Sequence, residues 1–146
     1  MAPARPLPDR ILKKVHLLIP NQSEANVLTG IPTHTLKGAQ VAGQALLNKG
    51  VQSVIITLGV QGALIVRPAG TLHVGGIRAD AVDTTGAGDA FMAALAVILA
   101  GGETLERATR FANVVGSLST KKPGAMPSLP TRDEVEPFIR ALELLD

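Results

Sequence analysis

Ser53–Thr57 reads SVIIT, a continuous apolar run dominated by β-branched residues. A run of that kind suits a buried strand, and a strand apolar on both faces needs covering layers on both sides. Shorter apolar runs alternate with helical periodicity around it, which is the pattern of an α/β layer fold with a largely parallel sheet and flanking helices. Leu17-Leu18-Ile19 is a second compact run, stopped by Pro20. Ala63–Arg67 and Thr71–Val74 are expected to pair as a hairpin across Pro68-Ala69-Gly70, and Ala79–Val82 reads as a weaker strand. Helices are expected near Asp9–Lys14, over Asn21–Leu28 closed by Thr29-Gly30, and over Leu36–Asn48 between Thr35 and Gly50. Further helices fall near Ala90–Leu99, over Leu105–Ser119, and after the capping box Thr131-Arg-Asp-Glu134. With 146 residues, no repeat and no linker-like segment, the chain reads as a single portion of one domain, 1–146.

Composition narrows the functional classes. The chain is 46% apolar and 18% charged, as in folded soluble proteins. Its formal charge is only +2, its basic residues are scattered, and aromatics make up 2% with no Trp or Tyr. A nucleic-acid surface would call for a clustered basic face and, for single strands, stacking rings, so no nucleic-acid partner is expected. Cys is absent, which excludes disulfides and thiolate metal sites and agrees with a reducing compartment. The longest apolar run, Ala90–Ala100, is short for a membrane span, and the Pro-rich opening MAPARPLPDR does not read as a signal peptide. The expectation is a cytoplasmic protein with no membrane partner. His16, His34 and His73 are dispersed and show no metal-ligand spacing.

The chemistry concentrates in Val82-Asp-Thr-Thr-Gly-Ala-Gly-Asp-Ala-Phe91, between a strand-like and a helical run. Gly86 and Gly88 let backbone approach a ligand closely. The free N–H groups of the following helix start would point at an anion, aided by the helix dipole. Asp89 adds a carboxylate there, which suits a base accepting a hydroxyl proton during phosphoryl transfer. A Gly-rich turn with Asp89 as a helix cap would also account for the string, which is neither G-x-G-x-x-G nor a Walker-type loop. Two further segments have similar double readings. Asn21-Gln-Ser-Glu24 is either a plain capping box or a cap that also fixes a functional carboxylate. Thr57-Leu-Gly59-Val-Gln-Gly62 is a flexible turn ending the best strand.

The string Asp83-Thr-Thr-Gly-Ala-Gly-Asp89-Ala-Phe91 closely resembles the C-terminal signature of the ribokinase-like, phosphofructokinase-B type carbohydrate kinases. The resemblance implies a doubly wound α/β sheet bearing a small β lid, with ATP and a small sugar as substrates. It implies an anion hole from Gly86, Ala87 and Gly88, and Asp89 as the base that deprotonates the sugar hydroxyl. Asn21 and Glu24 match the family's Asn-x-x-Glu, where the Glu organises the Mg2+ shell through water and the Asn lies near the phosphates. Thr57, Gly59 and Gly62 match a Thr-Leu-Gly-x-x-Gly that lines the nucleotide site, to which Gly88 also belongs. Asn113 matches a position on the adenine side, although an ordinary polar helix residue would do as well. A monovalent cation, usually K+, is implied between the signature and the loop Thr120–Ser128. Its candidate ligands are Asp83, Thr85, Ser119, Lys122 (by its carbonyl only), Gly124 and Ser128.

The opening Ala2-Pro-Ala-Arg5-Pro-Leu-Pro-Asp9 resembles the middle of such a kinase, so the likeness covers only the second half of the family pattern. The N-terminal half, with its sugar-binding segments and lid, is expected to be missing. That would expose a strand edge and apolar helix faces, and favour association as a homodimer or with a complementing N-terminal half. The opening and the form of the signature incline towards ribose, giving ribose 5-phosphate, over the substrates of fructokinase or ketodeoxygluconate kinase. The alternatives are a nucleotide-binding fragment with no catalysis of its own and, in a third class, an interaction domain that uses the open edge.

Overall fold

Leu17–Leu18 (β1) and Ser53–Thr57 (β2) lie parallel, with Leu17 opposite Ser53 and Leu18 opposite Val54. Ala63–Arg67 (β3) runs antiparallel to β2, pairing Val54 with Val66 and Ile56 with Leu64. Gly70–Val74 (β4) completes the order β1-β2-β3-β4. These features belong to a computed structural model that describes residues 5–77 and 79–143. The Ala2-Pro-Ala part of the opening motif lies outside the described residues. Internal contacts divide the chain into two compact units. The first runs to Gly59 and includes Ala63–His73; the second takes Val60–Gly62 and the chain from Val74 onward.

In the first unit a short helix, Asp9–Leu12 (α1), precedes β1, and two helices, Gln22–Thr29 (α2) and Leu36–Asn48 (α3), link β1 to β2. Local chemistry sets their ends. Asn21 caps α2, and Gly30 closes it in the left-handed region at φ 73. Thr35 caps α3 by accepting from the Gly38 N–H at 3.0 Å. The buried stripe Ala39, Ala42 and Leu46 of α3 joins Val54, Ile56, Leu64 and Val66 in one apolar cluster with Leu12 and Ala25. Full burial of each large side chain there is worth about 1.5–3 kcal/mol. Gly43 lets α3 approach β3 closely, since a Cβ would stand 2.6 Å from Val66 Cγ2. Ile55 and Ile65, on the opposite face, are also fully buried, as the apolar SVIIT run requires.

Within these strands one parallel pair, β1–β2, lies beside the antiparallel β2–β3 pair. The connection Pro68-Ala69 between β3 and β4 is too short for the crossover that a parallel neighbour needs.

The second unit holds Ala87–Ala100 (α4), Leu105–Ser119 (α5) and Arg132–Glu143 (α6). Ala90, Phe91, Ala94 and Leu95 of α4 and Ala108, Ala112 and Val114 of α5 are buried, and the two helices pack on one another. A Cβ at Gly116 would make ordinary contact with α4, 3.4 Å from Ala87 O and 3.5 Å from Phe91 Cβ. Ala79–Val82 is not a strand. The Val82 and Asp83 N–H groups instead donate to one acceptor, the Thr120 carbonyl at the end of α5, at 2.8 and 3.1 Å. The α4 helix also begins at Ala87, three residues before the apolar run that announced it. Among the described residues, no helix is long and apolar enough to cross a membrane.

Candidate functional site

In the first unit, the C-terminal ends of β1 and β2 bring Asn21 and Thr57 side by side. The two residues form a parallel bridge, and the Thr57 N–H donates to Pro20 O at 3.0 Å. Carboxyl ends of parallel strands are where α/β sheets place ligands. Asn21 Oδ1 accepts from the Glu24 N–H and Glu24 Oε2 from the Asn21 N–H, each at 2.8 Å. The capping box is therefore complete. It uses one carboxylate oxygen of Glu24 and holds that carboxylate at the strand end. Gly59, at φ 59, turns the chain out of β2 in a 3-10 turn, Gly59–Gln61.

In the second unit, Gly86 is the N-cap of α4 in the left-handed region, φ 79 and ψ −2. A Cβ there would also crowd Ala125, at 3.0 Å from its Cβ and 3.1 Å from its Cα, so both backbone and packing require glycine. The first turn of α4 is Ala87, Gly88 and Asp89. Ala87 N–H bonds Thr84 O at 3.2 Å, and Ala90 N–H begins the helical ladder on Gly86 O at 2.9 Å. A helix start leaves the N–H groups between them, on Gly88 and Asp89, without intrahelical acceptors. No side chain occupies the space within 4 Å of where a Gly88 Cβ would stand. The result is a bare, donor-lined helix start with Asp89, exposed, in its first turn.

The preceding turn is tied to the loop Thr120–Ser128. Asp83 Oδ1 accepts from the Thr85 N–H and Oδ2 from the Gly124 N–H, both at 2.9 Å. These bonds, the Gly124 one above all, hold the Asp83 carboxyl down at about 2. Ser128 is buried and donates to Ala125 O at 2.7 Å, and buried Ser119 donates to Gly116 O at 2.8 Å. Lys122 turns its ammonium away to Glu134 Oε1 at 2.8 Å. Its carbonyl alone could then serve a cation. An ionised carboxylate beside a glycine-bearing, carbonyl-rich loop is a donor set that fits a hard monovalent cation.

Gly62, at φ 93, cannot carry a side chain, because a Cβ would overlap Val74 O. Asn113 is buried at 7% exposure. Its Nδ2 donates to Val74 O and Gly75 O, at 3.2 Å each. The sequence offered no pointer to Thr120 as a double acceptor or to Ala125 as the neighbour of Gly86. Ser117, four residues after Asn113, donates to Ile77 O at 3.1 Å; helical spacing shows only that it shares a face with Asn113.

Comparison with known proteins agrees with this architecture. Residues 1–132 match the family model of the pfkB family carbohydrate kinases. A ribokinase of Haemophilus influenzae is 34% identical over 138 residues, covering 94% of this chain and 45% of the relative. A deoxyribokinase of Salmonella typhi is 32% identical over 126 residues, covering 86% and 41%. The structure of Arabidopsis thaliana ribokinase complexed with ribose and ATP superposes with a TM-score of 0.86 at 36% identity, covering 92% of this chain and 44% of that one. The chain spans less than half the length of each of these relatives.

Proposed function

The chain belongs to the pfkB family of carbohydrate kinases, and from that premise we propose that it carries the phosphoryl-transfer centre of an ATP-dependent sugar kinase with ribose as acceptor. The observation that carries this reading is the start of α4: bare glycine backbone, N–H groups without intrahelical acceptors, and Asp89 in the first turn. Asp89 takes the proton of the sugar's primary hydroxyl as that oxygen bonds to the γ-phosphorus. The β–γ bridging bond breaks, ADP leaves, and ribose 5-phosphate forms. The Gly86–Gly88 backbone meets the charge on the migrating phosphoryl oxygens, where preorganised donors are most effective.

Asn21 is assigned to the phosphates, and Thr57, Gly59 and Gly62 to the nucleotide. Mg2+, when bound, neutralises phosphate charge, and Glu24 would hold it through water. K+ would be held by the Asp83 carboxylate with oxygens of Thr85, Ser119, Lys122, Gly124 and Ser128. Ribose is favoured over deoxyribose or other sugars by the form of the signature alone. A second reading is favoured by the coverage of under half of each relative: the chain binds nucleotide and turns over only with a complementing N-terminal half.

The test is ATP consumption by the purified chain with Mg2+ and K+, with and without ribose, alongside Asp89→Asn. Ribose-dependent turnover abolished in Asp89→Asn supports the first reading. Turnover only on addition of an N-terminal half supports the second. Absence of nucleotide binding in a folded chain overturns both.

A further inference from the structure

The loop Thr120–Ser128 is pinned at two points that flank a single peptide. On one side the Gly124 N–H donates to Asp83 Oδ2 at 2.9 Å. On the other the Lys122 ammonium donates to Glu134 Oε1 at 2.8 Å. Between them stands the Lys122–Pro123 peptide. Its nitrogen carries no hydrogen, so no donor bond fixes its plane as the Gly124 bond fixes the next one. Pro123 narrows the backbone choices of Lys122 by disfavouring its helical region. Within that range, the direction of the Lys122 carbonyl is left to the two flanking anchors.

Glu134 is suited to be an anchor. Its Oε2 accepts from the Thr131 N–H at 2.8 Å and from the Thr131 hydroxyl at 3.2 Å, the capping box at the start of α6. Exposed ion pairs are ordinarily worth little, because both side chains must be ordered to meet. Here the carboxylate is already ordered by the helix it caps, and only the lysine chain loses freedom. We propose that Glu134 and the Lys122 side chain are positioning residues for a monovalent cation: their pair aims the Lys122 carbonyl at the ion and keeps the ammonium away from it. This rests on the reading of the loop as part of a cation site.

The test follows the Gly124 amide signal by NMR while the purified chain is titrated with KCl, choline chloride holding the ionic strength constant. Wild type is compared with Glu134→Gln, Lys122→Met and the double variant. Glu134→Gln can keep the cap, with its one carbonyl oxygen on Thr131 and none left for Lys122. Lys122→Met keeps the backbone carbonyl and most of the stem. The expected K+ midpoint rises about two- to fivefold in each single variant, and no further in the double one. Lys122→Met is decisive because charge alone acts in the opposite sense: removing a positive charge near a bound cation tightens it. A K+ midpoint that is unchanged or lower in Lys122→Met overturns the proposal and leaves the cation reading standing. Additive losses in the double variant overturn it as well. Should Lys122→Met fail to fold, Lys122→Ala is read by the same sign. A wild-type Gly124 signal that does not respond to K+ refutes the cation reading, and the proposal with it.

Discussion

Replacing Gly86 with alanine tests the architecture of the proposed anion turn directly. The residue sits at φ 79, where an L-residue costs about 1–2 kcal/mol. Its new methyl would meet Ala125 Cβ at 3.0 Å and Cα at 3.1 Å. Crowding a packed contact typically costs a further ~1–3 kcal/mol. Gly86→Ala should therefore lose about 2–5 kcal/mol in urea-unfolding experiments. Adding Ala125→Gly removes the nearer of the two contacts and should recover part of the packing share, a coupling that a double-mutant cycle measures. Gly88→Ala is the control. Its Cβ would meet nothing within 4 Å, and its backbone is outside the left-handed region. Stability should stay level or rise by ~0.5–1 kcal/mol, while MgATP affinity falls because the methyl enters the proposed phosphoryl site. A Gly86→Ala loss below about 1 kcal/mol would refute the strain, and zero coupling with Ala125→Gly would refute the contact.

Four other perturbations have defined outcomes. The folded-state carboxyl of Asp83 lies at about 2, below its usual 3.8. Its tether to Gly124 is thus present above pH 4 and lost as pH falls through about 2. Amide exchange at Gly124 should rise over that window, and Asp83→Asn should flatten the response. Asn21→Ala removes the cap of α2 and should cost about 0.5–2 kcal/mol by urea unfolding. Glu24→Gln can keep the capping box, so it should leave stability unchanged while weakening Mg2+-dependent nucleotide binding in calorimetry. Leu46→Ala hollows the first unit's core and should cost about 2–5 kcal/mol, read as a lower urea midpoint.

Elements whose causes lie within a few residues were legible in the sequence. The SVIIT run became β2 with its predicted ends, because β-branched apolar residues and flanking turn glycines act locally. The Asn21–Glu24 and Thr131–Glu134 boxes formed because each partner is three residues from the other. The string Asp83–Phe91 was readable as a glycine-rich turn into a helix for the same reason: its glycines and Asp89 are contiguous.

Tertiary structure decided what depends on partners far along the chain. Ala79–Val82 carries strand-like residues, but the Val82 N–H found the Thr120 carbonyl and no ladder formed. The α4 helix reached back to Ala87 once Gly86 could turn left-handed against Ala125. Asn113 could have faced a ligand or solvent by sequence; the return of residues 74–75 beneath α5 assigned its amide to two carbonyls. Asp83 gained its second acceptor bond from Gly124, across 41 positions. The physical reason is common to these cases. Caps and turns satisfy backbone groups within one or two helical turns. A donor that finds no local acceptor takes whichever one packing delivers, and only the folded chain determines which that is.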